Sequence, residues 1–155
     1  MTERKLTIEQ WHNIALTGAA PAMCIPLQGD SMTPLIRRNL DLVSIVPLTR
    51  PLKCGDVVLF EYPKGRYVVH RVYRLKDNQV QTLGDHCRCP EPWQPLTSVW
   101  GLAASFQRDG KTISLDCPQA RAYGRWRMAT LPIRKVCWNA RALAGRTLRK
   151  LGWRR

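Results

Sequence analysis

Six short runs rich in β-branched and aromatic residues, each closed by a turn signal, fill the chain between residues 42 and 115. They occupy 42–46, 56–62, 67–75, 80–83, 99–106 and 112–115, with breaks at Lys53-Cys54-Gly55-Asp56, Pro63-Lys64-Gly65, Asp77-Asn78 and Asp109-Gly110. Runs this short and this regularly punctuated by Gly, Pro and Asp predict strands in a mainly antiparallel sheet. No internal repeat divides the region.

The flanks read differently. Thr7-Ile8-Glu9-Gln10 has the form of a capping box, and Ile8, Trp11, Ile14 and Ala15 follow at helical spacing until Gly18, which predicts a short first helix. Residues 22–28 read as a strand running into Gly29-Asp30-Ser31-Met32-Thr33-Pro34, where Gly and Pro bracket a turn that holds a hydroxyl. After Cys117-Pro118 the composition shifts to Ala, Arg, Leu and Trp, and helix formers dominate from about Ile133. At 155 residues the chain suits one compact domain, residues 1–118, with a helical tail, residues 119–155.

Charge is concentrated in that tail. The formal net charge is +14, and residues 121–155 hold nine Arg and two Lys but no Asp or Glu. Val136, Leu143 and Leu151 set against Arg134, Arg141, Arg146 and Arg149, with Trp138 and Trp153 at the boundary, form a basic amphipathic pattern. Three uses fit it: an anionic membrane surface, an acidic substrate segment, or packing on the β domain. Nucleic acid fits the charge alone, since no binding motif accompanies it.

Six cysteines and no signal peptide argue for reduced thiols rather than a disulfide framework. Cys87 and Cys89, one residue apart beside His86, lack zinc-ligand spacing, so neither metal nor cofactor is expected. The best apolar stretch, residues 14–27, contains Pro21 and Pro26 and falls short of the ~18–20 residues a membrane span needs. The expected location is cytoplasmic, peripheral to a membrane at most.

A serine becomes a nucleophile when a base, a partner for that base and oxyanion donors converge on it. Ser31 lies in a Gly-flanked turn whose backbone N–H groups, around Gly29 and Asp30, suit an oxyanion. His70 sits in the strand-like run Val68-Val69-His70-Arg71-Val72, and Asp85 in Leu83-Gly84-Asp85-His86. Each also has an ordinary reading: a plain turn serine, a hydrogen-bonded histidine, a turn aspartate.

Taken together and in order, Gly29-Asp30-Ser31-Met32-Thr33-Pro34, Gly55-Asp56-Val57-Val58-Leu59-Phe60, Val69-His70-Arg71-Val72 and Thr82-Leu83-Gly84-Asp85 resemble the motif set of type I signal peptidases. The resemblance spans about residues 26–85. Within the superfamily shared by signal peptidases and self-cleaving SOS repressors, His70-Arg71-Val72 is similar to the histidine type of the endoplasmic reticulum and archaea. It implies the mostly β catalytic fold of that superfamily and a serine endopeptidase that removes a signal or leader segment. Ser31 is implied as nucleophile, His70 as base and Asp85 as the acid, with a second acid near Glu91. Gly29 and Asp30 fall at the oxyanion turn, and Met32 and Pro34 at the turn and substrate groove.

Three departures bear on that expectation. No membrane anchor precedes Ser31, Gly29 offers no hydroxyl for the oxyanion hole, and the basic tail lies outside the usual catalytic core. Two other functions fit the same residues. One is a non-catalytic peptide- or membrane-binding protein on this fold; the other is a self-cleaving regulator, for which Ala19-Ala20-Pro21-Ala22 offers a cleavage segment.

Overall fold

The computed structural model describes residues 6–150, with side chains to residue 143. The chain is mainly β: an eight-stranded, curled antiparallel sheet with three helices. Helix α1 (Ile8–Ala15) leads to β1 (Met23–Pro26), β2 (Leu42–Val46), β3 (Val57–Glu61), β4 (Tyr67–Lys76), β5 (Gln79–Leu83), β6 (Gln94–Pro95), β7 (Val99–Arg108) and β8 (Lys111–Ser114). Helices α2 (Pro118–Ala129) and α3 (Leu131–Lys150) complete the order. The strands run β1-β2-β7-β3-β4-β5-β6 across the sheet, with β8 on β7. Register shifts at Ser44/Ile45, Leu59/Phe60 and Val72/Arg74 bend it, since each extra residue sharpens the local twist.

In β3, every residue from Val57 to Phe60 is buried. Alternate side chains point to opposite faces, so the strand feeds two cores. Val57 and Leu59 join Trp11, Met32, Ile36, Val43, Ile45, Val69, Ala103 and Phe106. Val58 and Phe60 join Val72, Val80 and Val99 on the other side. Trp11 roofs the first core from α1, fully buried, with its Nε1–H donated to the Pro21 carbonyl at 2.7 Å. The indole needs Gly101 beneath it. A Cβ there would stand 2.6 Å from Ile45 Cγ2 and 2.8 Å from Trp11 Cη2.

The capping box at Thr7 forms in both directions, as expected. The tail expected over residues 119–155 is helical where it is described, in two helices rather than one. Pro118 opens α2, with Cys117 Sγ accepting from the Ala120 N–H at the cap. Thr130 then caps α2 and α3 begins at Leu131. Among the described residues, no helix is long and apolar enough to cross a membrane. The side chains of Arg146 and Arg149, and residues Leu151 and Trp153, lie outside the described residues.

The connection from Ser31 to β2 is pinned by a buried charge. Asp41 is inaccessible to solvent and accepts from the Arg37 backbone N–H at 2.8 Å, from Arg37 Nε at 2.9 Å and from Arg108 Nη2 at 2.6 Å. Burial alone would raise its pKa. The hydrogen bonds from Arg108 and Arg37 more than offset this and hold the carboxyl well below the usual carboxylate range.

Candidate active site

Two turns and one strand meet where the resemblance places chemistry. The first turn leaves β1 and carries Ser31. It is wound tightly by the Thr33 N–H and hydroxyl, both donated to the Asp30 carbonyl at 3.0 and 2.7 Å. Met32 anchors it from below, fully buried in the first core. The second turn, Gly84-Asp85-His86, follows β5 and is tied to the first by the His86 N–H, donated to the Ser31 carbonyl at 2.7 Å. Gly84 is the point of contact between the turns and the strand. A Cβ added there would lie 2.9 Å from the Ser31 carbonyl oxygen, 3.0 Å from His70 Nε2 and 2.6 Å from Cys87 Sγ.

His70 reaches this point from β4, paired across the ladder with Val58. Its ring is 3% exposed and tilts against Phe60 with centroids 5.8 Å apart. Burial, with a smaller contribution from the positive charge of Arg66, lowers its pKa from 6.5 to about 4. The imidazole is therefore neutral at pH 7, the form a general base requires. Nε2 lies beside Gly84, which also abuts the Ser31 backbone carbonyl. Nδ1, at the opposite end of the ring, is buried and among the described residues has no hydrogen-bond partner, and the Glu91 carboxylate lies 3.7 Å from it. That carboxylate is beyond hydrogen-bond range and a third exposed, so it does not offset the effect of burial on the ring.

The two candidate acids have different partners. Asp85 places both oxygens on Arg71, with Nε to Oδ1 and Nη2 to Oδ2 each at 2.9 Å, and both residues are buried. It is thus committed to Arg71 rather than to orienting His70, as the resemblance implies for it. The reason lies in strand alternation: His70 and Arg71 are neighbours on β4 and face opposite sides of the sheet. Glu91 is the acid that approaches His70. Its backbone N–H is donated to the Thr82 carbonyl at 2.8 Å, which fixes it beside β5.

Helices α2 and α3 close over the far side of the second turn. Arg127 Nη2 donates to the Asp85 carbonyl, as does Arg134 Nη1 at 3.0 Å, while Arg134 Nη2 donates to the Arg127 carbonyl at 2.7 Å. Arg71 lies under Gly124, where a Cβ would come 2.6 Å from Nη1. The inner face of the tail therefore packs on the turn that touches Ser31 and His70. Nothing in the sequence singled out Arg127 or Arg134 for this. The one available signal was Gly124, a helix-weakening residue inside a helix and hence a mark of close approach.

A cleft of about 700 Å³ opens beside Ser31 and His70. Its walls are β1 with the Gln28–Asp30 turn on one side, and residues 67–70 of β4 on the other. Both strands have free edges there: β1 pairs only with β2, and residues 67–70 pair only with β3, because β5 begins its pairing at Arg71. Gly29 lines the cleft with open space where a side chain would stand. Of the residues expected at the groove, Met32 is inside the core and Pro34 is exposed, and neither lines this cleft. Asp30 is exposed and pairs with Arg38 at 3.3 Å.

Compared with family models, curated proteins and solved structures, the chain matches none.

The crowding at Gly84 makes a direct prediction. Gly84→Ala pushes a methyl group into a backbone oxygen that cannot rotate away, and should lower stability by about 1–3 kcal/mol. It should also reduce any reactivity of Ser31. Urea unfolding and active-site labelling of the variant check both; an unperturbed protein would show that the two turns are not in contact.

Proposed function

We propose that this chain is a serine endopeptidase that removes a signal or leader segment from a peptide or protein precursor, with Ser31 as nucleophile and His70 as general base. One observation carries the reading. His70 is buried and neutral, with Nε2 beside Gly84, the residue that also abuts the Ser31 backbone carbonyl, and with Nδ1 turned towards Glu91.

The chemistry is acyl transfer. His70 takes the Ser31 hydroxyl proton as the oxygen attacks the scissile carbonyl, and N–H groups of the Gly29 turn receive the oxyanion. The imidazolium so formed places a positive charge 3.7 Å from Glu91, and a small side-chain rotation brings that carboxylate into hydrogen-bond range. His70 then gives its proton to the leaving amine. Water, deprotonated by His70, releases the acyl group. Glu91, the more distant acid of the resemblance, takes the orienting role, while Asp85 holds the turn.

The cleft supports an extended substrate. A peptide lying between the free edges of β1 and β4 gains backbone hydrogen bonds on either side, and alternate side chains meet the walls. The open space at Gly29 suits small residues near the cut, as the resemblance implies. Action in the cytoplasm or at a membrane surface fits a chain of this charge.

The test is a fluorophosphonate serine probe read by intact mass, beside incubation with a library of natural peptides, for wild type, Ser31→Ala and His70→Ala. Labelling or cleavage that vanishes in both variants is expected. Library peptides retained by wild type and Ser31→Ala alike, with no cleavage and no labelling, would replace the peptidase with a peptide-binding protein.

A further inference from the structure

Helix α3 has two faces of opposite character. Leu131 is buried, Arg134 reaches the Asp85 carbonyl and the Trp138 ring lies against His86, their centroids 6.2 Å apart, so these positions face the sheet. At 3.6 residues per turn, Ile133, Val136 and Ala140 fall on the other side of the axis, about 100–180° round from them. Ile133 is 66% exposed and Val136 68%. Lys135 and Arg141 flank the stripe, and Trp126 stands exposed one turn before α3 begins.

We propose that this outer face of α3 docks on an anionic lipid surface. Charge selects the occupant. The formal net charge of +14, with Lys135 and Arg141 beside the stripe, opposes a second copy of the same face, whereas anionic headgroups attract each cation. A nucleic acid would satisfy the cations but gives aliphatic side chains at the middle of the stripe nothing to enter. A lipid interface takes both, with the apolar stripe sunk among acyl chains and the flanking cations at headgroup level. The inner face of the helix remains on the turn beside Ser31, so docking leaves its contacts with the sheet intact. The proposal stands independently of the peptidase reading, since it uses no residue of the cleft.

The experiment is sedimentation of the full-length chain with sucrose-loaded vesicles of phosphatidylcholine alone or mixed with phosphatidylglycerol, at low and high salt. The wild type should pellet with the mixed vesicles at low salt and release at high salt. The paired substitution Ile133→Gln and Val136→Gln changes only exposed positions, and should weaken vesicle binding at least about tenfold. Absence of binding to mixed vesicles overturns the proposal. So does a paired variant that pellets like wild type, whether the protein adheres by charge alone or prefers a DNA duplex. A concentration-dependent dimer that the paired variant dissociates would assign the face to a second copy instead.

Discussion

Asp85→Ala should destabilise the fold by about 3–5 kcal/mol, a large fraction of the stability of an ordinary domain. The reason is Arg71, 2% exposed. Without the carboxylate its guanidinium keeps one acceptor, the Gly55 carbonyl at 2.8 Å, and cannot move outward because α2 closes over it at Gly124. A buried charge stripped of its partner is worse than no pair at all. The joint replacement Asp85→Leu with Arg71→Met should therefore recover most of the loss, since exchanging a buried ion pair for apolar side chains of similar size is often neutral. Urea unfolding of the two singles and the double measures the coupling. A folded, inactive Asp85→Ala protein with no coupling to Arg71 would return Asp85 to the catalytic role that the motif resemblance implies.

The second large effect depends on pH. His70 has a pKa near 6.5 in the unfolded chain and about 4 in the folded one, so between these values the unfolded state binds a proton that the native state refuses. Stability is at its full value above pH 6.5, falls as the pH is lowered through this window and reaches its floor near pH 4. The total loss from this one group is about 3 kcal/mol. His70→Gln should flatten that slope while leaving the acid transition of Asp41, which begins at lower pH. Denaturant titrations of both proteins at several pH values provide the comparison. For activity, kcat/KM should keep its base limb down to about pH 4, well below the pH 6.5 of a solvated histidine. Parallel slopes in wild type and variant would mean that the ring is solvated in the native protein.

Much of the architecture was legible from residue pattern alone, because strands that bury one or both faces announce themselves by length and punctuation. The runs at 42–46, 67–75 and 80–83 lie within or on strands β2, β4 and β5, and the capping box opens α1. The tail was less legible. Its helix α2 is seated by the small residues Ala120 and Gly124 and by Arg127 rather than by a broad apolar stripe, so hydrophobic periodicity signals its packing weakly. At the site, order along the chain put Asp85 ahead of Glu91 as the acid, whereas in the fold Asp85 pairs with Arg71 and Glu91 is the carboxylate near His70. That ranking depends on which face of β4 each neighbour takes and on the bend at Val72/Arg74, both properties of the folded sheet. Arg71 shows the same limit: nothing in the run Val69-His70-Arg71-Val72 announces its near-complete burial.

The grip of Arg127 and Arg134 on the Asp85 carbonyl has a consequence for the order in which the molecule is made. Ser31 and His70 leave the ribosome well before the residues that hold the turn between them. Until Arg134 has emerged and α3 has settled on the sheet, the second turn lacks two of its donors, and the contact of Gly84 with both groups is unsupported. A chain still in synthesis would thus carry Ser31 and His70 before the turn that lies between them is fixed in place.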